Sequence, residues 1–293
     1  MAGELGPISA GRKLRSILRQ AREIAGLTQA EVAERMEWSL SKVARIESGD
    51  VGIGTADLVG LCRVLHLGSA VTGELVSYAE AMRVRGWWHE FRADLPPAYQ
   101  RLIGLEIEAD RIADYAAFFV PGLLQTTDYT EALMRSILAD PPDDVIRTRV
   151  AMRVRRQQEV HDQPNPPDMV VLLDESVLYR RVGDQVVMAD QIRRLMEAAR
   201  RPHITMRVLP FECPGAQMES FSLVSNQTAG SAVYSEVSYG DVLFEDERRI
   251  SSFQERFEAS WKVALDPDRT GQLLRRVADG YERGDQPRPW LWD

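Results

Sequence analysis

The sequence predicts a mainly α N-terminal domain of five helices followed by an α+β C-terminal domain. Three observations predict it. Before residue 85, apolar residues recur at helical spacing in five short phrases, punctuated by Gly, Ser and Thr. After the break Gln163-Pro164-Asn165-Pro166-Pro167, the texture shifts to short apolar or alternating runs such as 169–173 and 204–209. The chain has 293 residues, 44% of them apolar, enough for two domains that each bury a core.

The first helix shows one apolar face, Leu14, Ile17, Leu18, Ala21 and Ala25, and Gly26 stops it. Thr28 fits an N-cap, with Glu31 as its capping-box partner, and Val32, Ala33 and Met36 line the second helix. Ser39 is placed to cap a third helix with Leu40, Val43 and Ile46 facing inward, and Gly49 ends it. Thr55 is read as the cap of a fourth, with Leu58, Leu61, Cys62 and Leu65 inside. A fifth covers 73–84, with Leu75, Tyr78, Ala79 and Met82 on one side. The expected boundaries are a head over 1–75, a seam over 76–90 near Gly86-Trp87-Trp88-His89, and a second domain over 91–293.

Helices two and three are joined by about three residues near Glu37-Trp38-Ser39, which is helix-turn-helix spacing. The outward positions of helix three are Ser41, Lys42 and Arg45, together with Ser39. Arg can grip a guanine edge with two hydrogen bonds, and Ser and Lys suit bases or phosphates. Thr28 and Gln29, at the start of helix two, are placed for a phosphate, as is Lys13 in the first helix. The stretch resembles helix-turn-helix turns that often place Gly or Asn where Glu37 stands, because the backbone there favours positive φ. Glu47 is read as a structural partner of a first-helix arginine such as Arg15.

Net charge is −8, which alone argues against a nucleic-acid partner. Residues 1–75, however, hold nine Lys/Arg and nine Asp/Glu, so the head is neutral and the rest is acidic. Arg12, Lys13, Arg15, Arg19 and Arg22 crowd into eleven residues. Such a run is either a phosphate-facing surface or a solvated helix face.

"GLTQAEVAERM" and "SLSKVARIESG", within 11–68, resemble the lambda-repressor-like, XRE-type helix-turn-helix family. The resemblance implies double-stranded DNA as partner and transcription control as function. A second resemblance covers about 87–283 and is carried by "FVPGLLQTTDY", "RVRRQQEV", "VVLLDESVLYRRVG", "MRVLPF" and "YSEVSYGDVLFED". These segments are similar to the domain of unknown function that follows the helix-turn-helix in actinobacterial, WhiJ-like regulators. That kinship implies regulation beside a small protein encoded nearby, and no established ligand.

In the second domain, helices are expected over 102–119, 127–138, 143–160, 189–199, 248–262 and 267–281. Strands are expected over 169–173, 204–209, 219–225, 232–237 and 242–245. Gln125, Thr126 and Tyr129 beside Leu123-Leu124 have the polar and apolar mix of a ligand pocket, or of a capped and plugged helix corner. Arg149, Arg153 and Arg156 share one helix face and suit a phosphate, an acidic partner or surface ion pairs. Glu175 and Glu236, at strand ends, suit acid–base chemistry or caps. Cys213, before Pro214-Gly215, reads as a neutral loop cysteine, with a redox-responsive thiol as the alternative.

The leading expectation is a sequence-specific regulator, a repressor acting as a homodimer. Its second domain would sense a small molecule or a partner protein. An antitoxin-like interaction protein, or a domain with cryptic nucleotide or glycosyl chemistry, are the alternatives. No Ser-His-Asp set, phosphate loop or metal cluster stands out, so neither an enzyme nor a cofactor or metal is expected. The absence of a long apolar run or a signal-like start leads to a cytoplasmic, nucleoid-associated expectation.

Overall fold

The structure is a computed structural model that describes residues 5–84, 86–91, 95–213, 219–237 and 240–285. It divides into two compact units. The first comprises Met1–Leu95 with Asn226–Gly230, and the second Pro96–Ser225 with Ser231–Asp293.

The first unit is helical: α1 (Pro7–Ile24), α2 (Gln29–Arg35), α3 (Leu40–Ser48), α4 (Thr55–Val64) and α5 (Ser69–Ala81). Its core is built from the predicted apolar faces, with Leu14, Leu18, Val32, Val43, Leu58, Leu61 and Leu75 nearly sealed from solvent. Three helix ends close alike. Gly26, Glu37 and His66 adopt positive φ, and the amide three residues past the end of each helix reaches back across the last turn. At Glu37 (φ 55°) the Trp38 amide donates to the Ala33 carbonyl at 2.8 Å. The turn therefore takes the left-handed conformation expected of it, without the glycine that suits it best.

Two expectations fail here. Thr55 is the first residue of α4, which starts from Gly54 with no side-chain cap. Leu40 is 53% exposed rather than inward; it is the first residue of α3, a turn ahead of the buried Val43.

The second unit contains α6 (Pro97–Ile107), β1 (Arg111–Ala116), a short turn of 3-10 helix (Gly122–Leu124), α7 (Thr127–Ile137) and α8 (Asp143–His161). There follow β2 (Asp168–Asp174), α9 (Ser176–Tyr179), α10 (Gln185–Ala198) and β3 (Ile204–Leu209). A meander of β4 (Phe221–Asn226), β5 (Gly230–Val237) and β6 (Gly240–Phe244) leads to α11 (Glu247–Val263) and α12 (Pro267–Glu282). The strands form one sheet in the order β3-β2-β1-β4-β5-β6. β1, β2 and β3 run parallel, and β4 is antiparallel to β1.

The helix expected over 102–119 is the main correction. It stops at Ile107, and Arg111–Ala116 is instead a strand inside the sheet. "RIADYA" has helix-compatible alanines, but pairing with strands on both sides outweighs local preference. The expected helical middle and α+β end are thus one folded unit. Ala113 and Tyr115 face Ile250, Phe253 and Phe257 of α11 across one side of the sheet. Asp114, between them, points to the other side. The outer edge of β3 is closed: the Leu265 amide donates to the Val208 carbonyl at 2.8 Å, and the Val208 amide donates to Thr270 Oγ1 at 3.2 Å.

Candidate nucleic-acid interface

Two capped starts present the second and third helices. Thr28 Oγ1 accepts from the Glu31 amide at 3.2 Å while Glu31 accepts from the Thr28 amide at 2.7 Å, closing the capping box. These bonds hold the Glu31 carboxyl below its usual range. Ser39 Oγ accepts from the Lys42 amide at 3.2 Å and caps α3. Both hydroxyls are therefore engaged in setting helix direction.

On α3, Leu40, Ser41, Arg45 and Ser48 are exposed, and Val43 and Ile46 are buried. The spacing of Ser41, Arg45 and Ser48 places them on one solvent-facing stripe. Lys42 is turned aside. Its Nζ is 2.8 Å from Asp57 Oδ2 and 3.8 Å from the Trp38 ring centre.

Glu47, nearly buried, is the hub beneath the stripe. Arg22 Nε donates to its Oε1 at 2.6 Å, and Arg22 Nη2 to its Oε2 at 3.1 Å. Gln29 Nε2 donates to Oε2 at 2.8 Å, so the Gln29 amide is committed to Glu47 in this state. Burial pushes the Glu47 carboxyl up, but the bonds from Arg22 and Gln29 outweigh it and hold its pKa below the usual range. The first-helix partner of the carboxylate is thus Arg22 in place of Arg15, because it is the Arg22 fork that meets both Glu47 carboxylate oxygens. Arg19 Nη2 donates to the Glu47 carbonyl at 3.1 Å, and the Arg15 guanidinium lies against Gly49. Cations therefore gather at the C-terminal end of α3, where the helix dipole favours them. Much of the basic run is a clamp on α3, in line with the structural role read for Glu47 and extending it to Arg19 and Arg22. Lys13 is half-buried on α1.

In the second unit the expected pocket residues separate. Gln125, Thr126, Tyr129 and Arg153 do come together, as a filled corner. Gln125 Nε2 donates to the Val120 carbonyl at 2.7 Å, and its Oε1 accepts from Thr130 and Arg153, both at 3.0 Å. Thr126 caps α7, and its amide donates to Gln191 Oε1 at 2.8 Å. Tyr129 is fully buried, which pushes its hydroxyl up to about 12. Leu123 and Leu124 plug the corner. Arg149 is half-buried one turn before Arg153.

Glu175 is buried after β2, where Oε2 accepts from the Phe211 amide at 3.0 Å and burial raises its pKa. Glu236 is exposed on β5. Three strand steps lie between β2 and β5, about 14 Å, so these carboxylates do not share a cleft. Cys213 Sγ contacts the Val263 carbonyl at 3.5 Å, and Pro214-Gly215 lies outside the described residues.

Sequence reasoning missed a buried cluster on the α6–α8 side of the sheet. Arg156 donates from Nε and Nη2 to both oxygens of Glu106 at 2.6 and 2.5 Å, and from Nη1 to Tyr99 Oη at 2.6 Å. Asp114 lies in the same field. Burial pushes its pKa up to about 7, Ser222 lowers it, and Glu106 and Arg156 act in opposite senses. Only the position of Arg156 in the arginine row hinted at this, since its partners come from distant segments. Among the described residues no group of three or more His, Cys, Asp or Glu converges to hold a metal ion, and no helix is long and apolar enough to cross a membrane.

Comparison with known families agrees with this division. A helix-turn-helix domain family matches residues 14–75. A domain-of-unknown-function family, DUF5753, matches residues 99–276, more than half of the chain. No curated protein and no solved structure matches.

Proposed function

Because the chain belongs to the DUF5753 family and carries a helix-turn-helix domain ahead of that match, we propose a sequence-specific transcription regulator of XRE type. We read it as a repressor, akin to the WhiJ-like actinobacterial regulators. The observation that carries this reading is the exposed stripe of α3, with Ser41 and Arg45 on a helix held rigidly by Arg22 and Glu47.

In this reading α3 lies in the major groove. Arg45 grips a guanine edge and Ser41 an adjacent base. The start of α2, with the backbone amide of Gln29, meets a phosphate, and Lys13 meets another. Ser39 and Lys42 flank the groove. A single module covers little duplex and discriminates weakly. Two copies reading half-sites about one helical turn apart supply what one lacks, so the working form is a homodimer. A small molecule, or a small protein encoded nearby, acts through the C-terminal domain. It can do so only by favouring one arrangement energetically.

Selection of duplexes from a random pool, followed by gel-shift titration, tests this reading. Arg45→Ala should cost about 1–3 kcal/mol on the selected duplex and little on random DNA. Lys13→Ala should weaken both alike. Equal loss on both duplexes for Arg45→Ala rejects its reading role, and no enrichment from the pool rejects the function.

A further inference from the structure

Lys42 stands on the recognition helix, yet its ammonium points along the protein surface. It is held by Asp57 Oδ2 at 2.8 Å and by the face of Trp38 at 3.8 Å. Asp57 belongs to the first turn of α4, where a carboxylate also suits the helix dipole. The two paired side chains are 40% and 45% exposed, so the pair sits at the surface beside the reading stripe. Arg45, one turn further along α3, is exposed.

We propose that Asp57 is a specificity-determining residue, which withholds Lys42 from DNA phosphates and so weakens binding to arbitrary duplexes. This rests on the DNA-binding reading above and deepens it. Binding to random DNA depends on neutralising phosphates, and each available cation adds to it irrespective of sequence. A lysine tied to a carboxylate and an aromatic face must be withdrawn before it can serve. That cost subtracts from sequence-independent affinity. Contacts from Ser41 and Arg45 to base edges do not involve Lys42, so binding to the correct site loses proportionately less. Discrimination is a difference of affinities, and a group that disfavours the wrong partner raises it.

The test uses the full-length protein, a duplex enriched from a random pool and a random-sequence duplex of equal length. Asp57→Asn should raise affinity for random DNA about three- to tenfold at low salt, and by less for the selected duplex. The plot of log affinity against log salt should steepen by about 0.9, the share of one further phosphate contact. Asp57→Ser should behave alike, and thermal unfolding should show both variants folded. In the double variant Lys42→Ala/Asp57→Asn the gain on random DNA should vanish. The proposal is overturned if random-DNA affinity and salt slope stay unchanged in both variants. It is equally overturned if the gain survives Lys42→Ala, since mere charge removal would then explain it. Wild-type protein that binds neither duplex would instead overturn the DNA-binding reading.

Discussion

Arg22–Glu47 in the head and Arg156–Glu106 in the C-terminal domain are the same pair of side chains in two settings. The first is partly open, with side-chain exposures of 13% and 9%. The second is closed, at 6% and 1%. In the head Arg22 serves Glu47, with the exposed Glu23 at 3.8 Å, and the spare acceptor capacity of Glu47 goes to Gln29. That carboxylate ionises more easily than usual. In the C-terminal domain the guanidinium is saturated by Glu106 and Tyr99, while a second carboxyl, Asp114, is buried nearby. Burial is the main reason that Asp114 holds its proton up to about pH 7, with Glu106 adding to it and Ser222 and Arg156 opposing it. At Glu47 burial acts in the same sense, but the bonds from Arg22 and Gln29 outweigh it, so that carboxyl stays charged.

The largest expected effect breaks the closed pair. Glu106→Ala leaves Arg156 charged and unmatched inside the domain and should cost about 3–5 kcal/mol, measured by urea unfolding. A loss below about 1 kcal/mol would mean that water reaches the cluster and that the contrast with the head is false.

The next effect is pH-dependent. The folded-state pKa of Asp114, about 7, lies above its unfolded value of 3.8. The folded chain therefore holds the proton more tightly. Its stabilising share is complete below the unfolded value and is lost as pH rises to about 7. Asp114→Asn should consequently stabilise the C-terminal domain by about 2–4 kcal/mol at pH 8 and hardly at all at pH 4. Equal effects at the two pH values would show that Asp114 does not titrate there.

The smallest effect is the mirror image. Glu47 has a lowered pKa, so its share is present above the ordinary carboxylate range and fades in acid. Glu47→Gln should cost the head about 1–2 kcal/mol near neutral pH, with the difference narrowing as the solution is acidified. Unfolding of the wild-type chain followed across pH should then show its two units drifting in opposite directions.

Much of the head was legible because its signals are local. Thr28 and Glu31, Ser39, Gly26 and Gly49 act within one or two turns, and the apolar spacing from Leu14 to Leu65 becomes the core. That a first-helix arginine pairs with Glu47 was legible, but which one was not. Arg22 finds Glu47 only after α1 and α3 are packed together, and the same holds for Lys42 and Asp57. In the second unit, β2 and β3 announce themselves through apolar runs. β1 does not, because two alanines and an aspartate disguise a strand whose identity comes from its neighbours. The filled corner at Gln125 reads from sequence as either pocket or plug, since both need the same polar and apolar groups. The stretches 153–160 and 170–183, which carried the family resemblance, form parts of α8, β2 and α9.

The register of β1 has a consequence in time. Its neighbour β2 follows some fifty residues later, and Arg111 pairs with Ser225, more than a hundred residues on. At synthesis rates of about 5–20 residues per second, β1 waits several seconds for β4 to emerge. The helices of the head, whose turns close over a few residues, have no such wait. The nascent chain thus carries the five helices of the head while β1 still lacks a neighbour, and that interval is when a chaperone matters most to this protein.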